Sequence, residues 1–222
     1  DISITSFLSE KFNWKYILKS GWITNTFTNI AGFGGILGAT LRASFYGKKS
    51  SKKQVLYAIS KIALFLLAGL SIYCWVSLFI IFGLHIGAGL TKYWIWLVGG
   101  GLYFPLLFSI TKFKNNAFFG DLTLKKELFL ILGSCLEWAG AGLFFIYIGL
   151  VLGVKFNILE IFALYIIASV FGVISMVPGG LGSFDVFIIL GMESLGIGNA
   201  DVIVWLLFFR IFYYIVPFFV GT

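Results

Sequence analysis

Few residues of this chain can do chemistry, and those that can lie inside or beside apolar runs. Glu137 sits in Ser134-Cys135-Leu136-Glu137-Trp138-Ala139-Gly140, Arg210 in Leu207-Phe208-Phe209-Arg210-Ile211-Phe212, and Arg42 and Asp185 follow glycine-rich breaks. An ionisable group at the centre of a membrane helix costs about 2.5–3.5 kcal/mol even on the lenient insertion scale. Each therefore needs a partner or a wet cavity. Glu137 reads either as a carboxylate facing a polar cavity, where it pairs with a cationic substrate group, or as a protonated acid hydrogen-bonded between helices. Arg210 has the planar fork that suits a phosphate, or it is the buried ion-pair partner of Asp185. Arg42 contacts substrate or snorkels to the interface. Asp185 caps a helix or sits among free helix amides that can hold a phosphate.

Other chemistries are absent from the sequence. It contains no G-x-x-x-x-G-K-[ST] phosphate loop and no H-E-x-x-H. The single His85 falls in a short polar connection, and Cys74 and Cys135 lie in apolar runs, where they read as small buried hydrophobes. No cofactor, metal, hydrolytic or redox centre is expected, and no nucleic acid, since the lysines gather at the ends of apolar runs.

The elements that must position these groups are membrane helices. The 222 residues are 60% hydrophobic and only 11% charged, whereas a soluble domain carries about a quarter charged residues. The expected fold class is all-α, a polytopic transmembrane helical bundle with Gly/Pro-broken, re-entrant helices. A span needs about 20 mostly apolar residues. Residues 62–84, 93–111, 128–152, 158–177 and 202–220 qualify, and 22–46 is a further apolar run interrupted by glycines. Residues 2–20 read as an interfacial helix or loop. Lys48, Lys49, Lys52, Lys53 and Lys61 flank one connection, and Lys112, Lys114, Lys125 and Lys126 another; the connections at 85–92 and 154–157 carry one lysine each. Lysine excess marks the cytoplasmic side, and the alternation agrees with three spans between these loops. The acid-bearing stretch 191–201 is expected outside. The whole reads as one membrane domain, a segment of something longer.

After Val177 comes Pro178-Gly179-Gly180-Leu181-Gly182-Ser183-Phe184-Asp185. Three glycines and a proline within five residues cannot continue a helix, and irregular backbone at membrane depth is tolerated only beside protein or a wet cavity. Gly34-Gly35-Ile36-Leu37-Gly38-Ala39 resembles this run and is likewise followed by a charge, Arg42. Paired broken helices point to a transport site.

The 178–196 stretch is similar to the signature of the MprF (multiple peptide resistance factor) family, bacterial phosphatidylglycerol lysyltransferase/flippases. The likeness continues in Phe209-Arg210-Ile211-Phe212-Tyr213-Tyr214-Ile215-Val216-Pro217, in Trp22-Ile23-Thr24-Asn25-Thr26-Phe27 with Gly32-Phe33-Gly34-Gly35, in Leu41-Arg42-Ala43 and in Glu137-Trp138. The resemblance implies the membrane flippase part of a multi-pass protein of the bacterial cytoplasmic membrane. Such a part moves lysyl-phosphatidylglycerol to the outer leaflet, which lowers negative surface charge and gives resistance to cationic antimicrobial peptides. It also implies a covalent C-terminal synthase domain in the parent, which makes that lipid from phosphatidylglycerol and aminoacyl-tRNA. Family positions regarded as functional match Asp1, Arg42 and Glu137, that of Asp1 by its spacing to Trp22. Two other classes stay open: a non-transporting scaffold of the synthase, and an ion or small-cation secondary transporter. Small-residue faces such as Gly140-Ala141-Gly142 can serve packing within one chain or in a homo-oligomer.

Overall fold

A membrane helix cannot leave backbone groups unpaired, so the three prolines mark where this chain departs from regular helix. The computed structural model describes residues 1–8, 10–31, 36–113, 118–120 and 122–221. Among them the protein is an all-α polytopic helical bundle with no strand. The helices are α1 (Ile2–Thr5), α2 (Trp14–Ala31), α3 (Ile36–Tyr46), α4 (Lys52–Phe65), α5 (Ala68–Leu78), α6 (Trp94–Gly101), α7 (Tyr103–Phe113), α8 (Leu124–Val151), α9 (Ile158–Ile174), α10 (Ser183–Ser194), α11 (Asn199–Arg210) and α12 (Val216–Gly221). Short π or 3-10 turns at Phe79–Gly83, Ala88–Tyr93, Pro178–Gly180 and Ile211–Ile215 join or extend them.

Each proline removes one N–H from a helix ladder. Pro105 would have bonded the Gly101 carbonyl; instead Ser71 Oγ (2.8 Å) and Trp75 Nε1 (2.9 Å) of α5 donate to that oxygen, and the Phe104 N–H finds Ser71 Oγ at 3.0 Å. Pro178 stands four residues beyond Ile174, where α9 ends. Pro217 follows the π-turn Ile211–Ile215, a common helix irregularity at functional sites. One further break, between α4 and α5, has no proline; Gly69, in the first turn of α5, lies so close to Ser134 of α8 that a Cβ would stand 2.5 Å from its carbonyl oxygen. There the Leu66 carbonyl accepts from Ser134 Oγ (2.7 Å) and Trp138 Nε1 (2.8 Å) of α8.

Four helical stretches among the described residues are long and apolar enough to cross a membrane: Lys52–Gly83, Ala88–Lys112, Leu124–Val151 and Asn199–Val220. They contain or closely match the runs expected at 62–84, 93–111, 128–152 and 202–220. The run at 158–177 turns out differently. Its helix α9 has 17 residues and stops at Ile174, a rise of about 25 Å. Ile161 and every residue from Ala163 to Val170 are buried, because α5, α6, α8 and α10 surround it. An all-round apolar helix is the one a bundle encloses, and hydropathy alone does not separate that from a lipid-facing span. In the 2–20 segment α1 is one turn, and α2 already begins at Trp14. Ile17, Ser20 and Thr24 are buried while Lys15 and Lys19 are exposed, so one helical face pays out into the bundle ahead of the apolar run.

The chain enters α9 and leaves α10 at the same end. A Cβ on Gly89 would stand 2.6 Å from the Ser194 carbonyl oxygen, and one on Gly87 3.4 Å from Glu160 Cγ. This puts the 85–92 connection, the start of α9 and the end of α10 together, with α9 and α10 forming a hairpin.

Candidate functional site

The hairpin turn is built by left-handed backbone. Met176, Gly179, Gly180 and Gly182 have φ of 51°, 61°, 63° and 85°. Glycine takes these values without steric penalty; Met176 is the exception, and it is 85% exposed. Asp185, in the first turn of α10, accepts the Gly182 N–H at 3.0 Å. Its other oxygen takes Arg210 Nη2 at 2.9 Å and Nε at 3.2 Å, while Arg210 Nη1 donates to the Gly179 carbonyl at 2.7 Å. Tyr214 OH reaches the same carbonyl at 3.3 Å. Ser183 and Ser175 close the neck of the turn, with hydroxyls 2.8 Å apart. Of the alternatives for these two residues, the structure has the ion pair and the cap together.

In front of this turn lies a cavity of about 420 Å³. α8 contributes Glu137, Trp138 and Ala141; α9 contributes Tyr165, Ser169 and Gly172; the turn contributes Gly179 and Gly180, and the C-terminal elements Phe209, Tyr213 and Tyr214. Thr28 of α2 completes the wall. Glu137 stands near the middle of a 28-residue helix and is exposed to this space. No hydrogen bond or ion pair joins it to any described residue. Among the described residues no lysine or arginine lines the cavity; Arg42 is the side-chain cation whose field reaches Glu137. Rings of the wall and behind it stack on one another: Phe209 on Tyr213 in the wall at 5.1 Å, and Trp205 on Phe145 behind it at 5.1 Å.

Arg42 belongs to a second cluster. Its Nε donates to Asp1 Oδ1 at 2.8 Å and its Nη2 to Asn25 Oδ1 at 2.7 Å. The second Asp1 oxygen accepts from Ser20 Oγ and Tyr46 OH, each at 3.2 Å. Asp1 is only 3% exposed and Arg42 21%, so this pair is shielded from solvent. Gly38 lies against it: a Cβ there would come within 2.6 Å of Thr28 Oγ1 and 3.0 Å of Arg42 Nη1. Thr28 is thus the contact between this cluster and the cavity. Asp1 and Asn25 line a further space of about 590 Å³, which shares Tyr213 with the first.

Of the residues singled out from sequence, Glu137, Gly179 and Gly180 meet at the cavity. Asp185, Arg210 and Gly182 sit behind its wall, and Asp1, Arg42 and Gly38 form the neighbouring cluster. Pro178 opens the turn. Gly34 and Gly35 lie outside the described residues. Sequence reasoning did not single out Trp138, Tyr165, Ser169 or Tyr213 as wall residues. Tyr213 and Tyr214 carried a signal, three and four residues after Arg210 on one helical face; Tyr165 and Ser169, within a continuous apolar run, carried none. Gly142 packs inside the chain, where a Cβ would meet Tyr165 Cδ1 at 3.1 Å, and Gly140 faces open space.

No protein-family model matches the chain. It is 31% identical over 223 aligned residues, 98% of its length, to a phosphatidylglycerol lysyltransferase of Staphylococcus aureus (strain MRSA252). It is 31% identical over 221 aligned residues, 92% of its length, to a phosphatidylglycerol lysyltransferase of Bacillus subtilis (strain 168). The chain spans about a quarter of the length of these relatives, 26% and 25%.

Proposed function

We infer the role of the cavity from one premise: the chain belongs to the MprF family of phosphatidylglycerol lysyltransferases, which it matches over 98% of its own length and about a quarter of theirs. We propose that it carries the lysyl-phosphatidylglycerol headgroup across the bacterial cytoplasmic membrane, from the inner to the outer leaflet. The observation that carries this reading is the unpartnered Glu137 carboxylate in an aromatic-lined cavity beside a broken helix.

That headgroup bears two ammonium groups and one phosphate. A carboxylate among aromatic faces suits an ammonium, through a charge-assisted hydrogen bond and cation–π attraction. Trp138, Tyr165 and Tyr213 supply the faces. A cavity of about 420 Å³ falls in the range of roughly 300–1,000 Å³ typical of ligand pockets; it suits a headgroup, with the acyl tails left in lipid. Arg42, held by Asp1 and Asn25 in the neighbouring cluster, adds a positive field that reaches the cavity at Glu137. The polar groups set in this aromatic wall, among them Glu137, Thr28 and Ser169, replace part of the water that the headgroup loses on leaving the interface.

The test is Glu137→Gln in cells that contain both the protein and lysyl-phosphatidylglycerol. An amine reagent that cannot cross the membrane reports the outer leaflet, and total lipid extraction reports synthesis. The expected result is loss of outer-leaflet labelling with total lysyl-lipid unchanged. Unchanged labelling would refute the role of Glu137. A fall in total lysyl-lipid would favour a scaffold, and ion flux in liposomes without lysyl-lipid a secondary transporter.

A further inference from the structure

The cavity wall includes a stretch of backbone that no helix ladder holds. Two of its residues, Gly179 and Gly180, face the cavity, and three of its glycines take left-handed φ. A chain so rich in glycine has many alternative conformations, and irregular backbone in a membrane protein needs protein or a wet cavity beside it. The geometry points to Asp185 and Arg210 as positioning residues that fix this wall, an inference that rests on the headgroup-cavity reading above. Neither lines the cavity.

Three contacts define the device. Arg210 Nη1 and Tyr214 OH hold the Gly179 carbonyl from behind, at 2.7 and 3.3 Å. Asp185 holds the far end of the turn through the Gly182 N–H. The guanidinium–carboxylate pair, 2.9 Å apart, ties the two ends together through α11. Arg210 is 14% exposed and Asp185 25%, and the guanidinium also rests over the Tyr214 and Phe184 rings at 4.9 and 5.5 Å. The Nε, Nη1 and Nη2 atoms are all engaged within the chain. A phosphate would therefore have to compete with Asp185 and Gly179 for this arginine.

Lysine can keep the charge pair with Asp185 but has no planar fork to reach Gly179 as well. That separates positioning from two rival roles. The experiment uses Asp185→Asn, Arg210→Gln, the double variant and Arg210→Lys, with Glu137→Gln as reference. Thermal unfolding of purified protein reports the tie without any lipid. Transfer of lysyl-phosphatidylglycerol, and of phosphate-free lysyl-diacylglycerol, in phosphatidylcholine vesicles reports the cavity.

Each neutralised single variant is expected to unfold earlier, because it leaves one charge unpaired, and the double variant to regain more than half of that loss. Arg210→Lys is expected to unfold near wild type yet to transfer both lipids roughly ten- to a hundredfold more slowly, the usual scale for a misplaced site wall. Additive unfolding losses in the double variant would overturn the tie. Slower transfer of the phosphate-bearing lipid alone would make Arg210 a phosphate contact, and normal transfer by Arg210→Lys would make the pair purely structural; either overturns positioning. If Glu137→Gln transfers normally, the headgroup reading fails, while the unfolding comparison still decides the tie.

Discussion

Replacing Glu137 by glutamine should make the protein more stable. The substitution keeps the shape of the side chain and removes its charge. Glu137 stands in the middle of α8 with no partner among the described residues, so folding gains nothing from it that glutamine would lose. A charge at a helix centre costs about 2.5–3.5 kcal/mol. The opening of the cavity and the field of Arg42 offset part of this, leaving about 1–2 kcal/mol to be released. For a chain of this size each kcal/mol moves the unfolding midpoint by about 2–4 °C, so a rise of roughly 2–8 °C is expected. Near-UV circular dichroism of the purified protein in detergent, heated with and without the substitution, measures it. Stability gained where function is lost is the pattern of a site kept for its chemistry. A midpoint lowered by more than about 3 °C would show that the carboxylate is tied into the fold, and the hydrogen-bonded reading of Glu137 would replace the cavity reading.

Two further outcomes follow from pairs elsewhere in the bundle. Glu127 is 1% exposed and bonds Lys112 Nζ at 2.6 Å, whereas Lys112 is 39% exposed. Lys112→Met should therefore destabilise by about 3–5 kcal/mol, stranding a buried carboxylate, while in Glu127→Gln the lysine can reach water and the loss should stay under about 1 kcal/mol; equal losses in thermal unfolding would refute this asymmetry. Ser71→Ala with Trp75→Phe strips both side-chain donors from the Gly101 carbonyl and should cost about 1–3 kcal/mol. Adding Pro105→Ala should recover part of that loss by restoring the missing N–H, and a triple variant no more stable than the double would contradict the account of this kink.

Composition and hydropathy determined the membrane class and most of the helices, because lipid accepts only long apolar stretches whose backbone is satisfied internally. Proline and glycine chemistry is equally local, so the interruption at Pro178 was legible from residue type, whereas 93–111 and 202–220 read as unbroken spans and their interruptions near Gly101 and Pro217 emerged only in the structure. The break at Leu66–Leu67 was not legible either. Gly69 lets α8 approach there, but the hydrogen bonds that hold the break come from Ser134 and Trp138, far along the chain. Hydropathy likewise could not say that α9 is enclosed, since lipid and a protein interior are equally apolar.

For the charged residues the division is sharper. Sequence alone required that Glu137, Arg42, Asp185 and Arg210 find partners or a cavity, because an isolated charge in hydrocarbon is too costly. It left open which of these each would find. Tertiary structure decided: Arg210 took Asp185, Arg42 took Asp1, and Glu137 was left facing a cavity. The physical reason is distance. A Coulomb or hydrogen-bond energy depends on separations of a few ångströms, and those are set by how helices pack rather than by how far apart two residues stand along the chain.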